Sequence, residues 1–209
     1  MRVVAIDGPA GSGKSTVART LAARLGLDYL DSGAMYRSVT LAALRRGIDP
    51  ADAEKVATVA RDIDMEIAAE VVVDGIDATR DIRGPEVSKA VSTVAANPDV
   101  RVEMVRRQRE WADDRGGGVV EGRDIGTVVF PEAELKVYLT ASEEERARRR
   151  HQQVSDLTYD DAAANIALRD RVDSTRATSP LAVADDAVVI DTTGRSVDDV
   201  VDEILGRLA

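Results

Sequence analysis

Eight consecutive residues near the start, Gly8-Pro9-Ala10-Gly11-Ser12-Gly13-Lys14-Ser15, fit the pattern glycine, any four residues, glycine-lysine-serine, and Thr16 follows. Glycines at these positions let a loop curl until successive backbone N–H groups point inward as a cradle for an anion. A helix starting at the end of such a loop adds its own unpaired N–H groups and the positive end of its dipole. Lys14 then offers a mobile charge to β- and γ-phosphates, and the Ser15 hydroxyl is the expected Mg²⁺ ligand. The flanks agree with this reading. Arg2-Val3-Val4-Ala5-Ile6 is short, β-branched and apolar, and the residues after the loop are apolar at positions 17, 18, 21, 22 and 25, which is helical spacing. Strand, glycine loop and helix in that order imply binding of a nucleoside triphosphate.

Transfer of a phosphoryl group needs positioning and positive charge more than a nucleophilic side chain. Candidate charges are Arg37, Arg123, the run from Arg146 to Arg150, and Arg169-Asp170-Arg171 through Arg176. The run is equally well read as a solvated helix face paired locally with Glu143, Glu144 and Glu145. Arg146 and Arg150 are one helical turn apart, so both could reach one ligand. Arg169 and Arg176 also share a face if their helix continues, with Asp173 between them to orient them or to accept from a hydroxyl. Cysteine is absent and His151 is the only histidine, which excludes thiolate chemistry and histidine metal clusters.

These residues need a scaffold to bring them together. A second strand is predicted at 28–30, helices to about Arg46 and over 51–62, and small antiparallel strands at 65–67 and 71–73 with a hairpin turn at Asp74-Gly75. Helices over 86–96 and 99–114 precede strands at 119–120 and 135–139. A helix from Ser142, another from Thr158 to about Arg171, a strand at 187–190 and a helix over 197–208 complete the chain. Strands alternating with helices imply an α/β fold, a phosphate-loop NTPase-type parallel sheet of about five strands flanked by helices. Ligands gather at the carboxyl ends of such strands, where Gly8 to Ser15, Asp31 to Arg37 and Gly122-Arg123-Asp124 are expected to converge. The chain reads as a single domain with its core in 1–62 and 97–209 and an insert at about 63–96, too small for a core of its own.

The chain of 209 residues carries a net charge of −10, which argues against general nucleic-acid binding. Only four residues, Lys14, Lys55, Lys89 and Lys136, are lysines, so the positive charge is mostly arginine, whose planar fork suits phosphate and base edges. No run approaches the length of a membrane span, and the opening residues form no leader. A cytoplasmic monomer acting on small anionic ligands is the expectation.

Taken together, Ile6-Asp7 with the glycine loop, Leu30-Asp31-Ser32-Gly33-Ala34-Met35-Tyr36-Arg37, and Glu121-Gly122-Arg123-Asp124-Ile125-Gly126-Thr127-Val128-Val129-Phe130-Pro131 resemble the bacterial cytidylate (CMP) kinases of the nucleoside-monophosphate kinase group. Arg169-Asp170-Arg171, Asp173, Arg176 and Pro180-Leu181 extend the resemblance over nearly the whole chain. It implies that ATP lies on residues 8–16 with Arg146, and that Mg²⁺ is held by Ser15 with phosphates and water. It implies that CMP is held by Ser32, Arg37, Ser92, Arg101, Arg123, Asp124, Arg169, Asp173 and Arg176. Within that set, Ser92 and Arg101 fall where the family contacts cytosine, and Arg37 and Arg123 where it holds the acceptor phosphate. Asp124 falls where a carboxylate meets the exocyclic amine, and Arg146 and Arg150 resemble a lid pair above a short lid at about 150–160. Lys14, Arg37, Arg123 and Arg150 form the implied catalytic set. The implied reaction is direct transfer of the ATP γ-phosphoryl group to CMP or dCMP, with the insert and lid closing to exclude water. Glu121 is either a carboxylate behind the magnesium ion or a plain buried acid at a strand end. A kinase for UMP, shikimate or dephospho-CoA is the alternative. A GTPase switch would need an Asn-Lys-x-Asp motif, and neither Asn97 nor Asn165 precedes a lysine.

Overall fold

A computed structural model describes residues 1–153, 158–176 and 178–208. In chain order the elements are β1 (Arg2–Asp7), α1 (Lys14–Leu25), β2 (Tyr29–Asp31), α2 (Ser32–Arg45), α3 (Ala53–Asp62), β3 (Met65–Ile67), β4 (Val71–Val73) and β5 (Ile76–Asp77). Then follow α4 (Pro85–Ala96), α5 (Pro98–Arg115), β6 (Gly117–Glu121), β7 (Leu135–Thr140), α6 (Glu143–Gln153), α7 (Tyr159–Thr175), β8 (Val188–Asp191) and α8 (Val197–Leu208). A 3₁₀ turn spans Asp81–Arg83 and a π-helical turn spans Ile125–Val129. The chain forms two compact units, one of Met1–Tyr29 with Arg115–Ala209, the other of Leu30–Asp114.

The first unit is built on a five-stranded sheet in the order β2-β6-β1-β7-β8, with the unit boundary falling inside β2. β1 runs parallel to both β6 and β7, and β7 parallel to β8. After Arg2 every residue of β1 is buried, and all of β6 is buried, as expected of strands covered on both faces. Val17, Ala18, Leu21 and Ala22 of α1 and Val200, Val201 and Ile204 of α8 pack with Val4, Ile6, Val119, Val137, Leu139 and Ile190 in one apolar cluster. The helical and strand periods of the sequence therefore meet in a single core. The register places Ile6 beside Glu121 and Asp7 beside Tyr138, so the loops leaving β1, β6 and β7 start from one sheet edge.

In the second unit β3, β4 and β5 form a small antiparallel sheet. Asp74 and Gly75, both at positive φ (51° and 76°), close a two-residue hairpin between β4 and β5, one strand later than the sequence pattern suggests. α2 packs against α3 and α4, and Asn97 ties their ends together by donating from Nδ2 to the Ala53 carbonyl (2.8 Å) and accepting from the Asp99 N–H (3.0 Å). The compact unit thus spans 30–114, wider than the insert expected at 63–96, because short strands bury apolar surface only by packing on flanking helices. Among the described residues no helix is long and apolar enough to cross a membrane.

Two glycines test how tightly the first unit is built. A Cβ at Gly117 (φ +134°) would lie 2.0 Å from the Arg2 carbonyl oxygen, whereas one at Gly26 (φ +63°), the C-cap of α1, would meet nothing within 4 Å. Gly26→Ala should cost about 1–2 kcal/mol, the left-handed backbone penalty alone. Gly117→Ala should cost clearly more, because β1 must move. Urea denaturation midpoints of the two variants measure the difference, and equal losses would contradict this packing.

Candidate active site

The phosphate loop leaves the buried end of β1 in tight contact with the rest of the sheet. A Cβ at Gly8 would lie 2.0 Å from the Leu139 carbonyl oxygen of β7. Helix α1 begins at Lys14, capped by Gly13 at φ 90°, with no acidic residue in its first turn, which leaves its N-terminal N–H groups suited to an anion. The buried Ser12 hydroxyl has no partner. Lys14 curls back so that Nζ donates to the Pro9 carbonyl (2.8 Å). Burial, then the neighbouring Arg123 charge, pull its pKa down to about 7, against the opposing pull of Glu121. Beside it the Ser15 hydroxyl donates to Glu121 (3.0 Å), which also accepts from the Tyr29 hydroxyl. Thr16 is exposed in the first turn of α1.

The loop after β6 carries Arg123 and Asp124, and both meet the end of α7. Arg123 Nε donates to Asp173 (2.8 Å). Burial works against the Arg123 charge, but Asp173, with Asp170 and Glu121 behind it, outweighs that and holds the pKa above its ordinary value. Arg176 donates to Asp124 (3.4 Å), the two side chains being only 5% and 6% exposed. Arg169 lies in the same cluster. Its Nε is buried without a partner, and burial, then the Arg123 charge, lower its pKa to about 10. Helix α7 ends at Thr175 and Arg176 is already extended (φ −63°, ψ 142°). Arg169 and Arg176 therefore do not share a helix face as their spacing suggested, and Asp173 accepts from Arg123 where the sequence offered two other roles.

The arginine run of α6 divides by side-chain environment. Arg148 is exposed and pairs with Glu145, the solvated face that the spacing allowed. Arg149 pairs with Glu145 and also donates to the Thr192 carbonyl (2.8 Å). Arg146 is buried, donates to the carbonyls of Ala10 and Ala141 (both 3.2 Å), and pairs with Asp170. Asp170 in turn accepts from the Ala10 N–H (3.2 Å), so an acid holds an N–H of the phosphate loop. Arg150 is half-buried, close enough to press on the charge of Arg169. The lid expected at about 150–160 includes residues 154–157, which lie outside the described residues.

Four predicted site residues belong to the second unit. Ser32 is buried at the start of α2, where Asp31 caps the helix by accepting from the Ala34 N–H (3.0 Å). Arg37 donates to the Ile82 carbonyl (3.0 Å) and the Ser88 hydroxyl (3.1 Å). Arg101 is buried, its guanidinium 5.6 Å from the centre of the Tyr36 ring. Ser92 is half-buried on α4.

Sequence reasoning missed Asp7 and Thr192 and gave Asp170 no role of its own. Asp7 is buried at the end of β1, and burial raises its pKa to about 6 against two backbone N–H bonds. The buried Thr192 hydroxyl donates toward the Ser12 carbonyl (3.0 Å) and accepts from Arg149 (2.9 Å). A charged residue ending an apolar strand was a readable signal for Asp7. Thr192 sits in a polar turn and carried none.

A sequence profile for the family described as cytidylate kinase matches residues 4–209. The chain belongs to the cytidylate kinase family. Cytidylate kinases of Limosilactobacillus reuteri (49% identical, covering 96% of this chain and 92% of that protein) and Mycobacterium leprae (54%, covering 91% and 88%) are among its relatives. Among solved structures, shikimate kinase from Acinetobacter baumannii aligns over 100% of this chain and 93% of its own with a TM-score of 0.51 at 17% identity. A Thermus thermophilus protein aligns over 100% and 98% with a TM-score of 0.51 at 20% identity. Both show the fold alone, a parallel sheet flanked by helices that this cytidylate kinase family member shares with phosphate-loop kinases.

Because the pKa of Lys14 is depressed to about 7, the folded ligand-free chain binds fewer protons than the unfolded chain from about pH 7 to 10.5. Its stability therefore rises with pH through that window as far as this group is concerned. A polyphosphate bound against Lys14 would restore the charge. Calorimetry at pH 8 in buffers of different ionisation enthalpy should show uptake of about one proton per ATP, by linkage. Lys14→Met should abolish that uptake and raise the ligand-free melting temperature at pH 7. Uptake that survives in the variant would place the titration elsewhere.

Proposed function

We infer that this chain transfers the γ-phosphoryl group of ATP to CMP or dCMP, giving ADP and CDP or dCDP. The observation that carries the reading is the family match over residues 4–209, which takes in the phosphate loop, the Arg123-Asp124 loop and α7 together. An ionised phosphate oxygen of the acceptor attacks the γ-phosphorus in line, and the bond to the β–γ bridging oxygen breaks with its electron pair leaving on ADP. The acceptor oxygen is already ionised at neutral pH, so no protein base is required.

The residues of the site take their parts from charge and reach. The loop N–H groups of residues 8–16 hold the donor polyphosphate, with Lys14 on its β- and γ-phosphates and Arg146 beside the nucleotide. Lys14, Arg37, Arg123 and Arg150 meet the charge that spreads over the transferring group, and such fixed charges in a site without water act far more strongly than in bulk solvent. Acceptor binding is assigned to Arg123, Asp124, Arg169, Asp173 and Arg176 of the first unit and to Ser32, Arg37, Ser92 and Arg101 of the second. Asp124 reads the base. An ionised carboxylate only accepts hydrogen bonds, so it matches the exocyclic amine of cytosine and opposes the carbonyl oxygen that uracil carries there. The insert at about 63–96 and the short lid at about 150–160 are taken to exclude water from the reaction.

The donor set fits Mg²⁺. That ion takes few protein oxygens, keeps several waters and shares phosphate oxygens. The Ser15 hydroxyl offers one oxygen, with Glu121 hydrogen-bonded behind it (3.0 Å). Held by the Ser15 hydroxyl with phosphates and water, Mg²⁺ would supply positive charge that offsets the charge of the phosphates. We take the protein to work as a cytoplasmic monomer on small nucleotides, with no role for nucleic acid or membrane. A net charge of −10 supports the absence of a nucleic-acid role.

Initial rates of ADP formation with CMP, dCMP, UMP and AMP test the reading. CMP and dCMP should turn over well above UMP and AMP. Asp124→Ala should lower kcat/KM for CMP at least about tenfold, the scale of losing a buried partner to a substrate donor, and narrow the gap to UMP. Equal use of UMP by the unaltered chain would overturn the role of Asp124. No turnover of any monophosphate would overturn the function.

A further inference from the structure

Asp7 has no part in the chemistry above, yet it is the one ionisable residue in the buried core of β1. The preceding four residues are all apolar and buried, and another apolar residue there would serve the sheet at no desolvation cost. Both oxygens of its carboxylate accept from backbone N–H groups. Oδ1 accepts from the Ile125 N–H (2.9 Å) and Oδ2 from the Gly126 N–H (2.8 Å). These two residues open the π-helical turn, whose own bonds run from the Val128 and Val129 N–H groups to the Asp124 carbonyl (2.9 and 3.2 Å) and from Phe130 to Ile125 (2.7 Å). The first N–H groups of any helical turn have no partner within it, and here a side chain from another strand supplies one to each. Among the described residues Asp7 makes no ion pair with Lys14, whose Nζ donates to the Pro9 carbonyl, and acts on it only through its charge.

The consequence follows from chain order. Asp7 directly precedes Gly8, the first residue of the phosphate loop, and Ile125 directly follows Arg123-Asp124. One carboxylate therefore joins the start of the donor loop to the end of the loop that carries the phosphate-binding and base-reading side chains. We propose that Asp7 is a positioning residue, pinning the 122–126 backbone to the end of β1 so that Arg123 and Asp124 are held in register with the phosphate loop. Two charge-assisted bonds to adjacent N–H groups fix orientation as well as distance, which a single bond would not. The effect on the acceptor rests on the reading of Arg123 and Asp124 given above.

The test is Asp7→Asn, which keeps the shape but turns one acceptor oxygen into an NH₂ group facing an N–H. In the unaltered protein, hydrogen exchange at the Ile125 and Gly126 amides should be as slow as in β1. In the folded variant those two amides should exchange at least about tenfold faster, the scale of one lost hydrogen bond. KM for CMP should rise by about tenfold or more on the same scale and the preference for CMP over UMP should fall, while KM for ATP stays within about threefold. Thr127→Val, which removes a buried hydroxyl without a partner in the same turn, should leave the kinetics unchanged.

Rapid exchange at the two amides in the unaltered protein would overturn the proposal even if Asp7→Asn fails to fold. So would a folded Asp7→Asn with unchanged kinetics, or one whose KM rises equally for ATP and CMP, the mark of general damage. If Asp124→Ala leaves base preference intact, the base-reading role fails alone. Asp7 is then still judged on amide exchange and on KM for CMP.

Discussion

The first unit is arranged around a charge in an unfavourable place. Lys14 opens α1 from a buried position at the end of the central strand, where removal from water works directly against its ammonium group. A buried charge is tolerated only when neighbours compensate it or when it gives up its proton, and both occur here. Glu121 and Asp7 oppose the depression while Arg123 and Arg169 deepen it. The balance leaves the Lys14 pKa lowered to about 7, so the cations beside it are not fully offset by the carboxylates.

The same logic orders the remaining charges of that unit. Arg123 rests on Asp173, Arg176 on Asp124, and Arg146 on Asp170, which also takes the Ala10 N–H. Unpaired arginines at such depth would be prohibitively desolvated, and pairs keep them charged and oriented. Pairing carries a second consequence. Asp170 satisfies a phosphate-loop N–H, so an anion that uses that N–H must displace a carboxylate. The net charge of the chain is −10, yet several arginines gather beside the phosphate loop.

Much of this arrangement is legible in the amino-acid sequence. The spacing of Gly8 to Ser15 and the apolar periods on either side give β1, the loop and α1 to within two residues, because parallel-sheet strands and amphipathic helices write their burial directly into the sequence. The π-helical turn at Ile125–Val129 is not legible there, since its bonds depend on a carboxylate from a strand more than a hundred residues away. Nor is the difference between Arg146 and Arg148, two positions apart on α6. Spacing assigns faces, but only the approach of Ala10 and Asp170 makes one face interior. The second unit is wider than its sequence signals suggest for a similar reason. Hairpin signals mark β3 to β5, whereas the helices that cover them carry no sign of which sheet they serve.

A reaction whose nucleophile is already ionised asks a protein for positive charge and exclusion of water, and the residue choice follows that demand. The only histidine, His151, is exposed on α6, and the buried ionisable groups near the loop are lysine, arginine and carboxylates. Arginine stays charged even when partly desolvated, as Arg169 does with its pKa lowered to about 10. Burial acts more strongly on a lysine, and the Lys14 pKa is brought down to about 7. Lysine's compact, mobile ammonium can follow a phosphoryl group as it moves, which a planar fork anchored to Asp173 or Asp170 cannot. The division is therefore physical. Arginines paired with carboxylates are held in place, whereas Lys14, bonded to a backbone carbonyl, carries the more compact and mobile kind of charge.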